Sequence, residues 1–162
     1  MVAAGLTGVY AETIPNVEIL TLVVFAAGAL LGARDGALVG AITMVVYSLL
    51  NPYGPVHPYV TISQVLGEVA AGLGGAAFAG LGFLEARPFL RAALLASCAI
   101  IVTAFFDLVT NVASGIVFGQ MRATLLGGIP FALIHMGTNA ALFATLGVAL
   151  TGVLKRYRSR LA

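Results

Sequence analysis

Residues 89–118 read FLRAALLASCAIIVTAFFDLVTNVASGIVF. One base, Arg91, and one acid, Asp107, interrupt a run that is otherwise uncharged and mostly apolar. About 20 apolar residues in a helix cross a hydrocarbon core of about 30 Å, so this run is read as a membrane span. The whole chain supports that reading. Of its 162 residues 60% are hydrophobic and only 9% are charged, and the mean hydropathy is +1.07. A water-soluble domain carries about 25% charged residues, too many for this chain to match. The pI near 9.0 traces to the tail KRYRSR (155–160), which in a membrane protein is a topology signal rather than a nucleic-acid arm. Cys98 is the one cysteine, so no disulfide or metal framework is expected.

Breakers and charges cut the rest into helices. The spans expected are Val2 to about Thr13, Val17 to Ala33, Gly36 to Leu50, Tyr59 to about Leu84, Phe89 to Phe118, and Ala123 to Leu154. Arg34-Asp35 is read as a tight hairpin, NPYGPVHP (51–58) as an irregular loop, and EARP (85–88) and GQMR (119–122) as polar links. The expected fold is an all-α membrane protein, a six-helix transmembrane bundle forming one domain over residues 1–162. The first segment is too short to cross. VYA resembles a cleavage site, but no basic region precedes it, and a truncated first helix is the preferred reading.

With the N-terminus inside, Arg34, Arg87, Arg91, Lys155, Arg156, Arg158 and Arg160 fall on the cytoplasmic side and only Arg122 falls outside. The positive-inside rule therefore puts both termini in the cytoplasm of a plasma-membrane protein and turns NPYGPVHP outward. Small residues recur every fourth position at Gly28, Gly32, Gly36 and Gly40, at Gly67, Ala71, Gly75 and Ala79, and at Gly137, Ala141, Thr145 and Ala149. Such stripes let helix backbones approach closely, and one of them is open to being an external docking face.

Polar residues inside the spans fall into pairs four apart: Gln64 with Glu68, Asp107 with Asn111, and His135 with Asn139. That spacing puts each pair on one side of its helix. Counting at 1.5 Å per residue from the outer helix ends puts Glu68 at about 13 Å, Asp107 at about 16 Å and His135 at about 18 Å depth. A charge at the bilayer centre costs about 2.5–3.5 kcal/mol on insertion scales, so these side chains should face a partner or a wet cavity. A shared outward-opening pocket is expected, with Asn51, Tyr53, His57 and Tyr59 above it as a lid or a solvated loop. The bland alternative is that Asn111, Asn139 and His135 pin helices together. Two carboxylates and one histidine suit a polar or cationic solute better than a multiply charged anion.

The segment IPNVEILTLVVFAAGALLGARDGALVGAITMVVYSLLNP (14–52) and its continuation QVLGEVAAGLGG (64–75) resemble the substrate-binding S components of energy-coupling factor transporters. The matching features are Pro-Asn-Val-Glu opening helix two, Leu-Gly-x-Arg-x-Gly at the hairpin, and Asn-Pro after helix three. The resemblance implies capture of a vitamin or related micronutrient at the outer face. It also implies association with a transmembrane T component and two ATPase subunits, no catalysis by this chain, and no cofactor. Gln64, Glu68, Asp107, Asn111, His135, Asn139, Asn51 and Tyr53 would then bind substrate. Such components dock the T component through an AxxxA stripe on helix one. This chain offers Ala3, Thr7 and Ala11, or Ala4 and Gly8, in its place. Two other functions stay open: a stand-alone proton-coupled carrier using Glu68, Asp107 and His135, and an intramembrane hydrolase built on Ser114 and His135. No Walker motif is present, so this chain is not expected to hydrolyse ATP.

Overall fold

The structure, a computed structural model, describes residues 1–10, 18–51, 54 and 56–161. Among these the secondary structure is helical, with no strand. The helices are α1 (Val2–Tyr10), α2 (Leu20–Leu31), α3 (Ala33–Leu49), α4 (Pro58–Gly80), α5 (Pro88–Phe118), α6 (Met121–Leu142) and α7 (Val148–Leu161). A 3-10 turn, Phe83–Glu85, lies between α4 and α5. A π turn, Phe143–Gly147, joins α6 to α7 without a break. The described chain is therefore six helical segments, as expected. Three of them are long and apolar enough to cross a membrane: Pro58–Gly80, Pro88–Phe118 and Met121–Tyr157.

The structure does not bear out six full crossings. α2 has 12 residues, about 18 Å of helix, and α1 has 9. The bend between α2 and α3 is also not at Arg34-Asp35. It falls at Gly32, whose φ of 92° favours a residue without Cβ. Arg34 and Asp35 lie inside the first turn of α3, where an acid complements the helix N-terminus. α4 ends four residues before the expected Leu84, because Gly82 turns left-handed (φ 76°) ahead of the 3-10 turn.

Glycine sets the spacing of α2, α3 and α4. A Cβ on Gly28 would lie 1.8 Å from the Gly72 carbonyl oxygen, one on Gly36 would lie 2.4 Å from Gly28 Cα, and one on Gly40 would lie 2.5 Å from the Glu68 carbonyl oxygen. Gly75 meets the Phe25 carbonyl in the same way, at 1.8 Å. These three helices thus touch backbone to backbone. In lipid, where apolar burial supplies no drive between helices, such close packing is a main source of association. The α4–α5 contact differs: Gly67 faces the ring of Phe106, and Gly74 faces the side chain of Val102. Of the small-residue stripes, Gly67, Ala71, Gly75 and Ala79 are buried. The stripe at Gly137, Ala141, Thr145 and Ala149 is exposed.

The loop connecting α3 to α4 marks one end of the bundle, shared by the start of α2 and the α5–α6 link. The apolar core occupies the other half. Phe25 packs edge-on against Phe78 and Phe143 at 5.6 and 5.1 Å between ring centroids, with Leu22, Leu84 and Leu95 around them. A small cavity beside Gly147 is lined mostly by apolar groups, among them Leu22, Phe25, Phe78 and Leu95, and its Thr151 hydroxyl already donates to the Val148 carbonyl. The π turn directs both Phe143 and Gly147 inward.

Candidate functional site

The loop-side half of the bundle holds a polar layer, and its parts come from four helices. His135 on α6 and Asp107 on α5 form one rung, with Nδ1 2.9 Å from Oδ1. One helical turn deeper, Asn139 Nδ2 donates to Thr103 Oγ1 at 3.0 Å. Because α5 and α6 run antiparallel, steps of four on each keep the two rungs in register. The depths counted from the sequence put Asp107 and His135 at one level, and their contact bears that out.

The second half of the layer comes from α2 and α4. Glu18 lies just before α2. Its Oε2 accepts from the backbone N–H groups of Leu20 and Thr21, capping a helix that starts deep in the bundle. Its Oε1 lies 2.9 Å from Thr21 Oγ1 and 3.6 Å from His135 Nε2. Thr21 Oγ1 is also 3.0 Å from Glu68 Oε1. A threonine hydroxyl has one hydrogen. Both of its carboxyl contacts are therefore hydrogen bonds only when one of the two carboxyls carries a proton. The result is a connected string, Glu68–Thr21–Glu18–His135–Asp107.

Burial is uneven along the string. Glu68 is 2% exposed and Asn139 fully buried, whereas the side chains of Glu18 and Asp107 keep 11% and 16% of their surface. Glu68 Oε2, Asp107 Oδ2, Asn139 Oδ1 and His135 Nε2 are buried without a hydrogen-bond partner. Buried polar atoms are normally paired, and among the described residues four of the six that are not fall in this layer, the others being Arg91 Nε and Thr110 Oγ1.

The other expected site residues stand apart from this string. Gln64 accepts from Ser48 Oγ at 3.1 Å and so joins α4 to α3. Asn111 packs its amide against Gly128, where a Cβ would come within 2.5 Å of Nδ2. Asn51 is half-buried in the loop, and Tyr53 lies outside the described residues. His57 caps α4 by accepting from the Tyr59 N–H and stacks on the Tyr59 ring. On α1, Gly5 packs toward Thr43 and Leu20, leaving Ala3, Ala4 and Thr7 exposed. Gly8 is on the same helix, and Ala11 lies outside the described residues.

Sequence reading missed Glu18 and Thr21 as members of the layer, whereas Thr103 shares the helix face of Asp107 four residues away. Glu18 carried one signal: an acid directly before an apolar helix complements the positive end of the helix dipole. No protein family, curated protein or solved structure matches the chain.

Proposed function

We propose that this chain is the substrate-capture subunit of an energy-coupling factor transporter. It would hold a vitamin-like micronutrient in the polar layer and hand it on with a T component and two ATPases. One observation carries the reading. Ionisable side chains from α4, α5 and α6, with Glu18 just before α2, converge in the loop-side half, and Glu68 Oε2 and Asp107 Oδ2 are buried there without a hydrogen-bond partner among the described residues. A solute entering from that end would supply the missing bonds, which offsets the cost of keeping such groups in a membrane. In this reading the loop end faces outward, as the arginine and lysine distribution requires. The exposed Ala3, Ala4 and Thr7 on α1 leave a face for the T component. Co-expression with a T component and two ATPases tests it. Retention of the chain in a stable complex that takes up solute on ATP hydrolysis is expected, and failure to associate overturns it.

The string Glu68–Thr21–Glu18–His135–Asp107 favours a second reading, a stand-alone proton-coupled carrier, because linked carboxyls and an imidazole pass protons. Solute uptake driven by a proton gradient, in vesicles holding this chain alone, distinguishes it.

A further inference from the structure

We propose that the polar layer binds an organic cation through its N–H donors: an ammonium, amidinium or guanidinium group whose N–H bonds meet the unpartnered acceptors of Glu68, Asp107 and Asn139. This rests on the capture reading and names the class of solute captured.

The unpartnered atoms define what the solute must offer. Glu68 Oε2, Asp107 Oδ2 and Asn139 Oδ1 are all acceptors. His135 Nε2, the one nitrogen of the set, already faces Glu18 Oε1 at 3.6 Å. A carboxylate or phosphate ligand would leave those three acceptors unmet and face them with more lone pairs. A group with several N–H bonds meets them directly. Asn139 adds a neutral acceptor to the two carboxyls: it is fully buried, one of its two amide N–H bonds goes to Thr103, and its oxygen has no partner among the described residues.

Charge points the same way. Glu18 and Asp107 flank a single imidazole, and Glu68 joins them through Thr21. With one proton shared across Thr21 and His135 cationic, the layer still carries one net negative charge. In a medium of low dielectric that charge attracts a cation and repels an anion strongly. A bare metal ion fits less well, because among the described residues no three carboxyl, imidazole or thiol groups converge to hold one. An extended N–H group offers several donors to acceptors on α4, α5 and α6, which a bare ion does not. The accessible edge of the layer lies at Glu18 and Asp107, so the charged head would meet carboxyls first on entry.

Benzamidinium, benzoate and benzamide are matched probes in shape and differ in charge and donors. The test is thermal unfolding of the purified full chain in detergent with each probe at millimolar concentration. Native mass spectrometry of the same preparation runs alongside. Benzamidinium should raise the midpoint saturably, while benzoate should not. Glu68→Gln and Asp107→Asn should each weaken the benzamidinium effect about tenfold or more. Glu85→Gln, at the opposite end of the bundle, should leave it unchanged. Equal or greater stabilisation by benzoate or benzamide overturns the cation assignment. So does a benzamidinium effect that survives both site substitutions. A retained anionic or N–H-free solute in the mass spectrum overturns the assignment while leaving the capture reading standing. No probe effect together with no retained solute overturns both.

Discussion

Gly28 of α2 and Gly72 of α4 pass so closely that a Cβ on Gly28 would sit 1.8 Å from the Gly72 carbonyl oxygen. The obstacle is backbone, so no rotamer change relieves it. Gly28→Ala should force the two helices apart and cost about 1–3 kcal/mol or more, as overpacking does. Gly137→Ala is the control, since nothing lies within 4 Å of its added methyl. It should be neutral or slightly stabilising, by up to about 1 kcal/mol from helix propensity. Thermal melts in detergent read both.

The His135–Asp107 rung joins groups that are each mostly out of solvent. Removing one partner strands the other. His135→Ala should destabilise by about 3–5 kcal/mol, the range for breaking a buried pair. A double-mutant cycle with Asp107→Ala should show a coupling of about 0.5–3 kcal/mol. Strict additivity of the two single effects would mean the rung carries no stability.

Thr103 and Asn139 form a neutral rung, and its value should be smaller. Interhelical hydrogen bonds in membranes average about 0.6 kcal/mol and reach about 1.7. Thr103→Val should fall in that range, with chemical unfolding in mixed micelles as the readout. A loss of several kcal/mol would place Asn139 in a wider network than this one bond.

Lys155 Nζ lies 2.6 Å from Glu85 Oε2 and ties α7 to the 3-10 turn. Glu85 keeps 72% of its side-chain surface, so water and salt screen the pair. Glu85→Gln should change stability by less than about 1 kcal/mol, and raising the salt should erase even that.

Thr21 stands between two carboxyls, and Thr21→Val keeps its shape while removing the bridge. The fold should survive, and any proton flux measured in vesicles should fall, because the string is cut between Glu68 and Glu18. Unchanged flux would separate the proton path from this hydroxyl.

Much of the fold was legible because breakers and long apolar runs are local signals. Pro88 and Gly119 bound α5 within a residue of the expected ends, and the i, i+4 pairs did place Glu68, Asp107, His135 and Asn139 inside the bundle. What could not be read was tertiary. Glu18 precedes its helix and looks like a loop residue, until the short α2 starts beside Glu68 and His135. Gln64 shares a helix face with Glu68 yet turns to Ser48, a choice set by which neighbour is nearer. Gly32 was read as part of a packing stripe, because its positive φ leaves no trace in the residue pattern.

Phe106 lies between the two halves of the molecule, its ring against Gly67 on one side and edge-on to His135 at 5.9 Å on the other. Helices α2, α3 and α4 are locked by contacts that have no torsion to give up, whereas a phenyl ring can swing. The layer thus has one fixed wall, carrying Glu18, Thr21 and Glu68, and one yielding wall, carrying Asp107, His135 and Asn139. If the layer takes a guest as proposed, the seam that this ring closes is where the two walls can part without breaking a backbone contact.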